Sequence, residues 1–148
     1  MIRNQPPRSK IRMAKWVADL SSSERKIAEH AEACLIRHYG GRSTELLIQA
    51  CLDASPAVRF RAVWILGKSK DVRAFDSIVV LLEDPDPSVQ YDAAYALGEL
   101  GDPRGFEILR KVIESKPEPT DLTYGAMQGL GVSEDAFGIQ SPLSRRDR

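Results

Sequence analysis

The chain has 148 residues, 43% of them hydrophobic and 28% charged, enough to bury one core of ordinary size and remain soluble. Lysine plus arginine equals aspartate plus glutamate at 21 each, a balance that argues against broad, phosphate-driven binding of nucleic acid. No apolar run approaches the roughly 18 residues of a membrane span, and Cys34 and Cys51 are too few for a disulfide framework. Residues 1–15 are basic but lead into no apolar stretch of the kind a secretory signal needs. A cytoplasmic protein with reduced thiols is therefore expected.

Residues 1–8 carry no periodicity and are expected to be a flexible N-terminus. From residue 9 to 20, Met13, Trp16, Val17 and Leu20 form a stripe at helical spacing, read as a first A helix. Residues 21–38 are its B partner, with Ile27, Ala31 and Leu35 facing the core. A serine of the 21–23 run caps it and Gly40-Gly41 ends it. The second A helix holds Leu46, Leu47, Ala50 and Cys51. The second B helix starts at Pro56, because the first turn of a helix tolerates a missing N–H. Ser55 is its expected N-cap, Val58, Ala62, Ile65 and Leu66 its core stripe, and Gly67 its expected end.

The third A helix reads Phe75, Ile78, Val79, Leu81 and Leu82, again at three- and four-residue spacing. The segment Glu83-Asp84-Pro85-Asp86-Pro87 is a turn spelled in acids and prolines. The B helix after it has Asp86 as N-cap, Val89, Ala93 and Leu97 in the core, and Gly98 with Gly101 at its close. The fourth A helix contributes Phe106, Ile108, Leu109, Val112 and Ile113. After a slip at Pro117-Glu118, the last B helix contributes Leu122, Ala126 and Leu130. In the segment 132–148, Phe137 and Ile139 are expected to fold back as a cap on the last unit, followed by a mobile tail.

The B-helix spelling recurs about every 31 residues, so each unit buries its apolar face only against its neighbours. The expected fold is all-α, a right-handed α-solenoid of about four helix pairs over residues 9–131. The segments Asp84-Pro85-Asp86-Pro87-Ser88-Val89, Ala93-Ala94 and Ala96-Leu97-Gly98-Glu99-Leu100-Gly101-Asp102-Pro103 resemble the HEAT-like repeats of phycobilisome lyase subunits. Residues 55–83 match nearly as well, with Asp71 and Arg73 at the positions of Asp102 and Arg104. The resemblance covers roughly residues 21–131. It implies the solenoid fold, and a function among lyase subunits, scaffolds and regulatory binding modules, which the fold alone does not separate.

His30, Cys34 and His38 share a helix at four-residue spacing, which suits metal ligation in principle. Cys34, however, falls in the slot of Ile65 and Ala96, a core slot where cysteine acts as a small hydrophobe. Cys51 falls in the slot of Leu82 and Ile113, and a thiol buried there is inert. Asp71 and Asp102 repeat at the turn into each unit and are expected to bond backbone amides. Arg59, Arg73 and Arg104 are candidate partners for such carboxylates. No metal site, cofactor site or catalytic residue is expected.

One set of residues departs from the family's spelling, whose matching slots usually hold polar residues. On the second B helix, Phe60 and Trp64 point about 160° away from Ala62, at about 100° per residue. Tyr91 and Tyr95 occupy the same slots one period on, and Tyr124 the first of them in the last unit, with Gln128 at the second. In such solenoids B helices line the concave wall, which places five aromatics along it. Arg61, Lys68, Asp92 and Glu99 flank them with mixed charge, which suits a protein or peptide better than a nucleic acid. The expected function is a non-enzymatic protein- or peptide-binding scaffold, with Phe60, Arg61, Trp64, Tyr91, Asp92, Tyr95 and Tyr124 as the binding residues. Two other readings stand beside it. One is a phycobilin-lyase-like or chaperone-like accessory subunit, its rings cradling a tetrapyrrole. The other is a nucleic-acid-binding solenoid, which requires basic residues gathered on one wall. Plain packing of the rings between repeats is the structural alternative. The sequence names no oligomeric state.

Overall fold

A computed structural model of the chain describes residues 8–38, 40–115 and 118–132. It runs α1 (Arg8–Asp19), α2 (Arg25–His38), α3 (Thr44–Ala50), α4 (Pro56–Ser69), α5 (Phe75–Val80), α6 (Pro87–Leu100), α7 (Pro103–Ser115) and α8 (Asp121–Leu130). These are four A/B pairs of a HEAT-like α-solenoid, odd helices A and even helices B, with no strand among the described residues. The expectations for residues 1–7, for the slip at Pro117 and for the cap of Phe137 and Ile139 with its tail lie outside the described residues. The A helices α3 and α5 are short, because 3-10 turns at Gly40–Ser43, Val72–Ala74 and Leu81–Glu83 take up adjoining residues.

The B helices start where proline and capping groups dictate. Pro56 and Pro87 open α4 and α6. Asp86 caps α6 by accepting the Ser88 N–H at 2.8 Å. Ser55 does not cap α4; instead Asp53 accepts the N–H of Ser55 at 2.8 Å and shapes the turn leading in. At α8, Thr120 and Thr123 each bond the other's backbone N–H, a capping box that starts the helix two residues late in the repeat register. The first B helix begins at Arg25, not at residue 21, and Ser22 accepts the Glu24 N–H in the turn before it.

Gly67 and Gly98 do not end their helices. Lys70 closes α4 at φ 54°, and Gly101 closes α6 at φ 76°. Gly67 and Gly98 lie inside, where neighbouring backbones arrive too closely for a side chain. A Cβ on Gly67 would sit 2.7 Å from the Cβ of Ala96, and one on Gly98 would sit 2.1 Å from the Gly129 carbonyl oxygen. A Cβ on Gly125 would likewise meet the Tyr91 carbonyl oxygen at 2.3 Å. The B helices α4, α6 and α8 thus form a backbone-close seam, and they make the most extensive helix contacts in the molecule. On the A side, clefts open between α3 and α5, lined by Ile48, Leu52 and Val80, and between α5 and α7, lined by Val79, Ile108 and Val112. Close packing on one side and open clefts on the other set the B-helix face apart from the A-helix face.

Ala31, Leu35, Val58, Ala62, Leu66, Val89, Ala93, Leu97, Leu122 and Ala126 are all buried, as the repeat register requires. Ile27 is the exception at 40% exposed; no described unit precedes it to cover that slot, and Ala28 turns inward instead. Leu130 is half-buried against the core, and Phe106 is exposed on the outer wall.

Polar ties lock successive units. Arg59 donates to both carboxylate oxygens of Asp84, at 2.8 and 2.9 Å, and to the carbonyls of Asp53 and Ala54. It thereby joins the turns before α4 and α6. Burial pushes the Asp84 carboxyl up, but the Arg59 bonds and the Asp86 N–H outweigh it and hold the group below its usual range. Asp71 accepts the Arg73 N–H at 3.1 Å, as expected of a turn aspartate, and also the Thr44 hydroxyl at 2.7 Å. Asp102 accepts the Arg104 N–H at 2.9 Å in the same way one unit on.

Candidate functional site

One face of the stack is built from the slots of α4, α6 and α8 that turn away from the core stripe, the face expected to line the inner wall of the solenoid. Phe60, Trp64, Tyr91, Tyr95 and Tyr124 all stand there half-buried. Phe60, Trp64 and Tyr124 also lean on the core, whereas Tyr91 and Tyr95 are not part of that contact set. Phe60, Trp64 and Tyr124 therefore serve the packing between repeats.

The slots group into two clusters of different character. In the first, Trp64 and Tyr95 stack with ring centroids 5.3 Å apart and planes at 15°. The Lys68 ammonium lies 4.6 Å from the Trp64 ring centre and 5.2 Å from that of Tyr95. Lys68 also pairs with Glu99 at 3.1 Å. The hydrogen bond that Lys68 donates to Glu99 raises the Lys68 pKa and lowers that of Glu99. Rings, cation and carboxylate satisfy one another and staple α4 to α6.

The second cluster lies toward the N-terminal ends of the same helices and is not closed. Arg61 fills the slot of Asp92 one period earlier. It pairs with Glu32 of α2 at 2.9 Å, donates to the Leu20 carbonyl at 2.9 Å, and lies 5.4 Å from the Phe60 ring centre. Among the described residues Asp92 has no hydrogen bond and no ion pair. Burial and the nearby Glu32 carboxylate push it up to about 6. Burial also raises Glu32, against the pull of Arg61, and burial with the charge of Asp92 raises the Tyr91 phenol.

Of the three candidate ligating side chains, His30 and Cys34 stay together and His38 stacks elsewhere. Cys34 is buried, with Sγ 3.5 Å from His30 Nε2, while His38 stacks on Trp16 at 6.2 Å. No group of three or more His, Cys, Asp or Glu placed to hold a metal ion occurs among the described residues. The Cys51 thiol is buried in the core and pushed up to about 12, where it is not a nucleophile. No helix among the described residues is long and apolar enough to cross a membrane.

Residues 44–131 match the family described as HEAT repeats. The chain belongs to the HEAT-repeat family. The same fold is found in a chain of the complex of CpcE and CpcF of phycocyanin lyase from Nostoc sp. PCC7120. That chain is 22% identical and superposes with a TM-score of 0.62 over 88% of this HEAT protein. The match spans 55% of the lyase chain, so this HEAT protein is similar to about half of it, and at this identity the likeness is one of fold. No curated protein matches by sequence.

The sequence reading missed the Glu32–Arg61 pair, because Glu32 stands in a slot that Val63 and Ala94 fill with buried apolar side chains in the later units. The Lys68–Glu99 pair did carry a signal, opposite charges 31 residues apart in one slot of successive units.

Proposed function

We propose that this HEAT-repeat protein is a non-enzymatic scaffold that binds a segment of another protein along its inner wall. The observation that carries the reading is the run of half-buried aromatic side chains in matched slots of α4, α6 and α8. Rings held at fixed spacing on a rigid wall offer contact area with little ordering cost, which is why such residues dominate binding centres. The carboxylates of the inter-unit turns and the core thiol support a non-catalytic reading. Asp71, Asp84 and Asp102 are engaged in turns, and Cys51 is buried.

A second reading, an accessory subunit of a bilin lyase, is favoured by the fold shared with the phycocyanin lyase chain. On that reading the rings of the inner wall would take a flat tetrapyrrole. Incubation of the purified protein with free bilins separates the two. A shifted and sharpened bilin absorbance that disappears in Tyr91→Ala supports the lyase-type reading, and an unchanged spectrum opposes it.

Capture of a partner by the immobilised full chain tests the scaffold reading. Trp64→Ala with Tyr95→Ala removes the stack, and Tyr91→Ala changes a ring that does not lean on the core. Loss of capture in Tyr91→Ala at unchanged helicity supports the wall as the binding surface. Undiminished capture in every one of these variants moves the surface to the A-helix side or the loops.

A further inference from the structure

The inner wall carries unequal charge at its two clusters. Lys68 is matched by Glu99, and Arg61 by Glu32. Asp92 remains, half-buried beside Tyr91 and within electrostatic reach of Glu32. The cation in the matching slot of the preceding unit, Arg61, is already committed to Glu32 and to the Leu20 carbonyl. The charges of Glu32, Arg61 and Asp92 thus sum to one uncompensated negative charge. The aromatic side chain within its electrostatic reach is Tyr91, whereas the Phe60 ring already faces the Arg61 guanidinium, 5.4 Å from its centre.

A partly desolvated carboxylate without a partner is costly, and a cation that fits beside it recovers that cost on binding. Aromatic faces next to a carboxylate favour a cation further, because the ring quadrupole attracts positive charge from the side the carboxylate leaves open. Anionic and neutral ligands gain neither effect here. An acidic partner segment would meet Asp92 and Glu32 with like charge.

We propose that Asp92, with Tyr91, forms a receptor for a cationic side chain, arginine or lysine, presented by the bound protein segment. The proposal rests on the scaffold reading and names the chemistry of its partner. The closed Trp64–Tyr95–Lys68–Glu99 cluster then acts as a support that holds α4 and α6 at fixed spacing, and Asp92 supplies selectivity.

Random short peptides displayed on phage and selected on the immobilised full chain test this directly. Enriched peptides are then synthesised and measured by fluorescence anisotropy, each also with its cationic residue replaced by norleucine. The expected result is a shared Arg or Lys at one position. Its replacement should weaken binding about tenfold to the native chain and leave binding to Asp92→Asn unchanged. Asp92→Ser provides a second variant should Asn perturb the fold, and a thermal melt of each confirms folding. Enriched peptides that depend on Tyr91 but share no cationic position, or whose cation is indifferent to Asp92, overturn this proposal and leave the scaffold reading standing. Selection that yields no peptide dependent on Tyr91 or Trp64 overturns both.

Discussion

Gly98 of α6 and Gly129 of α8 meet backbone against backbone, so closely that a Cβ on Gly98 would fall 2.1 Å from the Gly129 carbonyl oxygen. The contact sets how near two successive inner helices lie. Alanine at 98 is an overpacking change and should destabilise the fold by about 1–3 kcal/mol. At roughly 2–4 °C per kcal/mol for a domain of this size, calorimetry should show a clear fall in Tm. An unchanged Tm for Gly98→Ala would remove the close approach from the account of the fold.

Arg59 is the second point of vulnerability. Asp84 is only 6% exposed and depends on the Arg59 guanidinium. Arg59→Met keeps most of the volume but strands a buried carboxylate, a change that costs about 3–5 kcal/mol. Asp84→Asn with Arg59→Met should recover part of that loss. Urea titration of the single and double variants gives the coupling, and additive effects would show that the pair is not energetically linked.

The dependence on pH has two opposed parts. Asp71, Asp84 and Asp102 have folded pKa values below their unfolded ones. Their contribution is present above the unfolded carboxylate range and is lost as pH falls through the folded values. Asp92 runs the other way, because its folded value of about 6 lies above its unfolded one. Between those two values the folded state binds the extra proton, so its part of the stability falls as pH rises toward about 6. Chemical denaturation across pH should therefore show a maximum in the mildly acidic range, with a fall in strong acid. In Asp92→Asn the decline between that maximum and neutral pH should flatten. A decline of the same size in both proteins would assign it to another group.

Cys51 provides a chemical check of the core. A thiol pushed up to about 12 in an apolar site should not react with a thiol-specific reagent at mildly alkaline pH while the protein is folded. Labelling followed by peptide mass spectrometry should find Cys51 modified only after denaturant is added. Rapid labelling in the native state would place it outside the core.

Much of the fold was readable in the sequence, because a solenoid repeats its core slots. Ala62 and Ala93 are buried for the same reason one period apart. The readings that failed depend on what lies beside a slot. Ile27 has the core letter but no described unit in front of it. Gly67 and Gly98 look like helix ends by position, yet their absent side chains serve the approach of the next helix. Asp84 sits in a turn spelled in acids and prolines, and only the fold shows Arg59 reaching it across 25 residues. The aromatic slots were visible as a departure from the repeat. What the sequence did not convey is that Trp64 and Tyr95 are already satisfied by Lys68 and Glu99, while Asp92 has lost Arg61 to Glu32.

The glycine seam also decides how the molecule can bend. Where helices touch backbone to backbone there is no slack to compress, so the seam is the stiff side of the stack. Strain from bending then falls on the outer wall, where the clefts beside Val80 and Val79 can widen or narrow. The spacing between Trp64 and Tyr95, close to that seam, changes little as the outer wall opens. The inner wall thus behaves as a ruler of fixed pitch carried on a compliant spring.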